Sequence, residues 1–199
     1  MPKKYLKSIG IPGLISAVSL LFAWLAIVLL LKDALRLSVL CAVIAFFFDS
    51  LDGIVARKLR QESDLGRQLD SMIDLVSYSL YPALIVSQEL LPSWEGVVVG
   101  YTIVLFGILR LIRFNVDGYI ESNSVRYYNG VVTCYLSLAA IGFLLLSSQY
   151  KLPSLLVAGF LLILAILQLS NIKTRKTGML KFWYAVSIIL ALGALAWLP

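Results

Sequence analysis

Apolar residues run along this chain in seven long blocks separated by short polar breaks, at roughly 11–31, 35–57, 68–90, 94–114, 129–149, 152–171 and 179–198. Uninterrupted apolar stretches of about 18 or more residues predict membrane-spanning helices rather than strands, which would alternate. Pro92, Gly130, Pro153 and Gly178 fall near the proposed ends, where helix punctuation belongs. The predicted fold is an all-α polytopic membrane bundle of about seven spans, a single domain over residues 1–199, with no internal repeat. Lys3, Lys4 and Lys7 precede an apolar run from Ile15 to Leu31. That arrangement has the form of a cleaved leader, but the run is long and no small-residue cleavage site follows, so it reads as the first span.

Composition sharpens this picture. Hydrophobic residues make up 60% of the chain, against about 45–50% in an ordinary soluble domain, and the mean hydropathy is +0.92. The net charge is +6. With seven alternating spans, 14 of the 17 basic residues fall at one end of the bundle, leaving Lys32, Arg36 and Lys151 at the other. The positive-inside rule then places the N-terminus, and the breaks after the second and fourth spans, in the cytoplasm. Orientation accounts for the basic excess, and no basic stripe with stacking residues suggests nucleic acid. Cys41 and Cys134 each lie in an apolar run with no ligand or disulfide spacing. Histidine is absent, so a bound metal would take oxygen donors, which favours hard cations such as Mg²⁺, Mn²⁺ or Ca²⁺.

The chemistry concentrates between Asp49 and Asp74, in DSLDGIVARKLRQESDLGRQLDSMIDL. Asp49 and Asp52 close the second span at i, i+3; Asp70 and Asp74 open the third at i, i+4. Each pair shares a helix face, and the short polar link predicts an antiparallel helix pair that brings both faces together. A carboxylate inside a membrane costs about 2.5–3.5 kcal/mol at mid-depth and less near the interface, and four together repel. Two divalent cations would cancel the charge and are suited to phosphoryl transfer. Ion pairing with Arg57, Arg67, Arg110 or Arg113 is the structural alternative. Gly53, Ala56 and Gly66 leave room beside the acids, and Arg57 offers a planar fork suited to phosphate.

Written as a pattern, the stretch is D-x2-D-G-x2-A-R-x8-G-x3-D-x3-D, eight fixed positions over 26 residues. It resembles the signature of the CDP-alcohol phosphotransferase family at every fixed position. The resemblance implies a core of six membrane helices and a homodimer. It implies that Asp49, Asp52 and Asp70 bind a di-metal centre of Mg²⁺ or Mn²⁺, with Asp74 close to it and acting as the base on the acceptor hydroxyl. It implies that Gly53, Ala56, Arg57 and Gly66, with the aspartates, contact the CDP part of a CDP-lipid donor whose chains stay among the membrane lipids, and that CMP is released.

Within the family, LDSMIDLVSYSLYP (Leu69 to Pro82) and ILRLIRFNV (Ile108 to Val116) resemble phosphatidylserine synthases. The Gly-Leu-Pro-Thr-Pro-like stretch expected after Tyr128 is replaced by Asn129, Gly130, Val131, Val132 and Thr133, without prolines. The implied acceptor is L-serine, with glycerol 3-phosphate and inositol phosphate as alternatives. Serine needs a cation for its carboxylate. Arg110 and Arg113 suit that need, with Asn115, Asn129, Ser77 and Tyr78 as polar contacts. Topology and headgroup contact would also account for the arginines. The alternative of another class is an ion-coupled transporter, which would carry acidic residues at mid-membrane rather than at helix ends. The polar stretch from Asp117 to Tyr128, with Asn123, Ser124 and Arg126, is expected to cover the mouth of the site. Trp183, Tyr184 and Trp197 read as interfacial anchors.

Overall fold

A computed structural model of the chain describes residues 3–61, 63–122, 125–175 and 180–198. Asn123, Ser124, Lys176 and Gly178 lie outside the described residues, as do the side chains of Lys3, Lys4, Lys7, Arg126, Lys181 and Trp183. Seven helical segments occupy the seven apolar blocks. They are α1 (Lys3–Leu30), α2 (Leu35–Leu59), α3 (Asp64–Leu90), α4 (Trp94–Asp117), α5 (Thr133–Gln149), α6 (Ser154–Leu167) and α7 (Leu180–Trp197). The first four are long and apolar enough to cross a membrane, counting α1 from Gly10, and the apolar helices of the last three are shorter. The chain is thus an all-α polytopic membrane protein.

Short links join α1 to α2, α2 to α3, α3 to α4 and α5 to α6, whereas the α4–α5 and α6–α7 links are longer and carry strands. Arg60 ends α2 in the left-handed region (φ 54°), where the Gln61 N–H donates to the Ala56 carbonyl at 2.9 Å. Ser63 then caps α3, its hydroxyl accepting from the Gly66 N–H at 3.0 Å. Gly10 (φ 59°) breaks α1 into two pieces, just before Pro12.

Helix α3 is not regular. It contains two π turns, Val76–Leu80 and Val86–Leu90. Pro82 follows the first and has no N–H to give the Tyr78 carbonyl; there the Tyr81 N–H reaches Val76 instead. That turn buries Ser77, Tyr78 and Ser79 together, and π turns recur at functional sites.

The core has two parts that share α3 and α5. One gathers Ala26, Leu30, Val39, Tyr81, Ile85, Ile141 and Leu145 with Ala194 of α7. The other gathers Ala83, Val86, Val99, Ile103, Leu136 and Ala140 with Leu161 of α6. Small residues allow close approach, as membrane helices require: a Cβ at Gly107 would lie 2.1 Å from the Ser79 hydroxyl. Serines tie α1 to α2, with Ser19 donating to the Ala45 carbonyl at 2.9 Å and Ser38 to the Ala26 carbonyl at 2.7 Å. Large apolar side chains such as Trp24, Tyr101, Leu155 and Ile189 point outward, as they would toward lipid.

Three features depart from the expectation. The stretch after α4 is a hairpin, β1 (Ile120–Ser122) and β2 (Val125–Asn129), and β3 (Lys173–Arg175) adds to it antiparallel in the order β1-β2-β3. The fifth helix starts at Thr133 rather than 129, because Asn129 completes β2 and Gly130 turns with φ 87°. Tyr184 is more than an anchor: its ring stacks on Phe47 at 4.9 Å and meets Phe46 edge-on at 6.2 Å.

Candidate metal centre and acceptor pocket

The ends of α2, α3 and α4 that carry the motif residues meet at one end of the bundle. Asp49, ten residues before the end of α2, and Asp70 and Asp74, the seventh and eleventh residues of α3, bring carboxylate oxygens within 4.8 Å of one another. All three are half-buried. The antiparallel pairing expected from the spacing is what produces this, since α2 ends and α3 begins at the same level. Tyr78, one turn beyond Asp74, donates its hydroxyl to Asp49 Oδ2 at 2.9 Å. A 3.6-residue period would carry residue 78 away from the line of 70 and 74; the wider π turn reduces that drift. The other oxygen, Asp49 Oδ1, is buried without a hydrogen-bond partner among the described residues. A buried carboxylate oxygen left unpaired is costly, and a hard cation would satisfy it.

Asp52 faces elsewhere. It is buried, and the Ser16 hydroxyl of α1 bonds its Oδ2. That hydroxyl also lies 3.1 Å from the Pro12 carbonyl, so its single proton can serve either oxygen. Of the four acids expected at the metal, three therefore share one cluster and Asp52 stands beside it, held by α1. Gly53 faces Arg57, whose Nη1 would lie 3.4 Å from a Cβ there. Arg57 is exposed, Ala56 half-buried, and Gly66 sits in the capped first turn of α3. These four line the α2–α3 turn beside the acids. Arg67 does not reach inward; it pairs with Asp64 at 2.5 Å on the exposed face.

The two arginines of α4 part company. Arg110 is 3% exposed. Its guanidinium carbon lies 5.5 Å from the Tyr128 ring centre and 5.7 Å from that of Phe114, distances at which a cation is attracted to a ring face. One donor meets the Thr133 hydroxyl at 3.5 Å, and its Nε–H has no partner among the described residues. It is within electrostatic reach of Asp74. Arg113, one turn on, faces away: it donates to the backbone carbonyls of Leu169 (2.7 Å), Asn129 (2.7 Å), Gln168 (2.8 Å) and Ser170 (3.2 Å).

The remaining polar candidates are dispersed. Asn115 accepts from the Ser71 hydroxyl at 3.1 Å, beside Asp70. Asn129 serves Arg113 through its carbonyl. Ser77 lines a small cavity between α1, α2, α3 and α5, with Tyr78, Tyr81 and Ser137, and its hydroxyl is buried and unpartnered among the described residues. Tyr128 packs against Phe114 and Tyr119, with centroids 5.6 and 5.2 Å away. Burial raises its phenol well above the ordinary range, aided by a hydrogen bond to Tyr119, so it stays neutral beside Arg110.

Sequence reasoning missed Ser16, Thr133 and the Tyr128–Phe114 ring pair. Ser16 carried a faint signal, a hydroxyl four residues after Pro12 in an apolar run that it shares with Ser19. The ring pair carried none, because it depends on the hairpin folding back over α4.

Comparison with known proteins agrees with the motif. The family model for CDP-alcohol phosphatidyltransferase matches residues 9–191. The chain is 36% identical over 117 residues to the archaetidylserine synthase of Methanothermobacter thermautotrophicus, covering 57% of this chain and 50% of that protein. It is 36% identical over 110 residues to the CDP-diacylglycerol–serine O-phosphatidyltransferase of Bacillus subtilis, covering 54% and 62%. The match thus spans only half to three-fifths of those two relatives. The protein of the latter name from Methanocaldococcus jannaschii is 32% identical over 188 residues, 94% of this chain and 85% of that one. With the full motif in place and the family model spanning nearly the whole chain, this protein belongs to the CDP-alcohol phosphatidyltransferase family.

Proposed function

We propose that the chain transfers the phosphatidyl group, or its archaeal equivalent, from a CDP-activated lipid to the hydroxyl of L-serine, releasing CMP. The observation that carries this reading is the convergence of Asp49, Asp70 and Asp74 within 4.8 Å, with Asp49 Oδ1 unpaired. The names of the serine-transferring relatives support the choice of acceptor.

The donor set fits divalent cations, Mg²⁺ or Mn²⁺ and two per site, held by Asp49, Asp70 and Asp74 with Asp52 alongside. When bound, they supply neutralisation of the pyrophosphate charge and polarisation of the phosphoryl oxygens. Asp74 takes the proton of the serine hydroxyl as the serine oxygen bonds the lipid-bearing phosphorus. The bond from that phosphorus to the CMP oxygen breaks, and CMP leaves. Arg57 binds donor phosphate with its planar fork, while Gly53, Ala56 and Gly66 leave space for the CDP moiety. Arg110, buried and incompletely paired, receives the serine carboxylate. Asn115, Asn129 and Ser77 remain candidates for further polar contact, and Tyr78 acts through Asp49.

The positive-inside count puts the N-terminus and this site on the cytoplasmic side of the cell membrane, where a soluble acceptor and CMP exchange freely while the lipid chains stay in the bilayer. The family resemblance supports a homodimer. Transport is disfavoured because the chain carries the whole motif of a transferase family, whose model matches residues 9–191. The test is CMP release from CDP-diacylglycerol by purified protein in detergent. It is run with Mg²⁺, Mn²⁺ or chelator, and with serine, glycerol 3-phosphate or inositol phosphate added in turn. Metal-dependent release with serine alone is the expected result; release only with another alcohol refutes the acceptor, and none with any acceptor refutes the reaction.

A further inference from the structure

Arg110 and Arg113 lie one turn apart on α4, and a phosphate-bearing acceptor would use both, because a phosphate monoester carries up to two charges and more acceptor oxygens than a carboxylate. The surroundings of the two side chains differ. Three of the carbonyls that Arg113 engages, Gln168, Leu169 and Ser170, follow α6, where the helix leaves carbonyls unsatisfied. The fourth, from Asn129, ends β2. The neighbouring backbone closes the same junction: the Val131 N–H donates to the Leu167 carbonyl at 3.1 Å, the Gly130 N–H to Ile172 at 2.8 Å, and the Thr174 hydroxyl to Gly130 at 2.7 Å. A Cβ at residue 130 would lie 2.0 Å from the Gln168 carbonyl and 2.6 Å from Arg113 Nη2. The clamp closes only over glycine.

This junction sits directly under the parts that frame Arg110. Tyr128 precedes Asn129, and Thr133 opens α5 just beyond the Gly130 turn. One contributes the ring over Arg110, the other the hydroxyl beside it. Arg110 itself keeps an unpartnered, buried Nε–H.

We propose a division of labour between the two arginines. Arg110 is the one guanidinium presented to the acceptor, and Arg113 is a positioning residue that ties α6 to the β2–α5 junction and so holds Tyr128 and Thr133 against Arg110. The site therefore selects an acceptor with a single carboxylate over a phosphate monoester. This rests on the serine-transfer reading.

The test compares L-serine with L-serinamide, which replaces the carboxylate by a neutral amide, as acceptors for the full chain in detergent with Mn²⁺ and CDP-diacylglycerol. In Arg110→Gln the preference for serine in kcat/KM falls by about tenfold or more, the loss expected for a charged hydrogen bond. In Arg113→Lys and Gly130→Ala the melting temperature drops and the preference for serine falls, but by less than in Arg110→Gln, because Arg110 remains while its frame loosens; a preference unmoved in both variants leaves Arg113 a fold residue only and overturns its positioning role. Arg113→Lys that abolishes the preference at an unchanged melting temperature makes Arg113 a ligand and overturns the proposal. Should neither clamp variant fold, the wild type still decides: glycerol 3-phosphate should compete with serine with an inhibition constant no lower than the serine KM, and one about tenfold lower reveals a second available cation. Wild type that releases CMP with glycerol 3-phosphate or inositol phosphate but not with serine overturns the serine reading itself, and that result is visible before any variant is made.

Discussion

Replacing Tyr78 by phenylalanine removes one oxygen and keeps the ring. The ring meets Phe46 edge-on at 6.2 Å, so packing between α2 and α3 survives the change. What goes is the hydrogen bond to Asp49 Oδ2 at 2.9 Å. Asp49 Oδ1 has no partner among the described residues, so the substitution deprives the carboxylate of its orienting donor. A hydrogen bond to a charged group contributes about 1.5–3 kcal/mol. Loss of a residue that orients a metal ligand lowers metal affinity about 10–100-fold, which is about 1.4–2.7 kcal/mol. The two ranges overlap, so Tyr78→Phe should raise the Mn²⁺ concentration for half-maximal CMP release by about 10–100-fold. It should leave the serine KM, measured at saturating metal, unchanged. Metal-dependent stabilisation in a thermal melt gives the same quantity without turnover, because it scales with ln(1 + [L]/Kd). An unchanged metal requirement with a raised serine KM would refute the reasoning and return Tyr78 to the acceptor.

Other substitutions probe separate parts of the site and its frame. Asp74→Asn should retain binding of the CDP-lipid and lose about 10²–10⁴-fold in kcat, as removal of a general base does; equilibrium binding of a CDP-lipid beside turnover checks it, and near wild-type turnover refutes the role of base. Ser16→Ala should cost about tenfold in kcat/KM for the CDP-lipid, since Asp52 loses its α1 donor, with the serine KM unchanged in the same assay. Gly107→Ala forces a methyl to within 2.1 Å of the Ser79 hydroxyl and 2.9 Å of its Cβ, and should destabilise the protein by about 1–3 kcal/mol, seen as a lower melting temperature in detergent.

The acids were legible in the sequence because their geometry is local. Spacings of three and four fix a helix face, and a short polar link fixes an antiparallel pair, so Asp49, Asp70 and Asp74 could be brought together from residue numbers alone. Asp52 shares the face of Asp49 by the same arithmetic, yet the structure places it beside Ser16, a residue 36 positions away. Helix periodicity describes one helix and is silent about which neighbour leans on it. The π turns of α3 were partly legible: Pro82 announces a missing N–H, but not whether the helix will kink or widen. The hairpin was hidden by the apolar pattern, which ran the fifth block back to 129 across Gly130 and two valines. Valine is as much at home in extended backbone as in a membrane helix, and the positive φ of Gly130 is what separates strand from helix.

The arginines of α4 show the limit most clearly. At three residues apart they read as equivalent: same helix, same end, same charge. Three residues are about 300° of helical rotation, so the two side chains diverge by about 60°. At the rim of a bundle, where α4 lies between α3 and α6, that divergence selects a different neighbour for each. Arg110 turns toward Asp74 and Thr133 and keeps a donor unpaired in a buried place, a costly state that a ligand anion relieves. Arg113 turns toward the end of α6, where helix geometry leaves carbonyls in need of donors, from residues 55 to 57 positions along the chain. One spends its charge on the fold, while the other keeps a buried Nε–H without a partner among the described residues. The sequence contains both residues but not the difference between their surroundings, and the proposed acceptor preference rests on that difference.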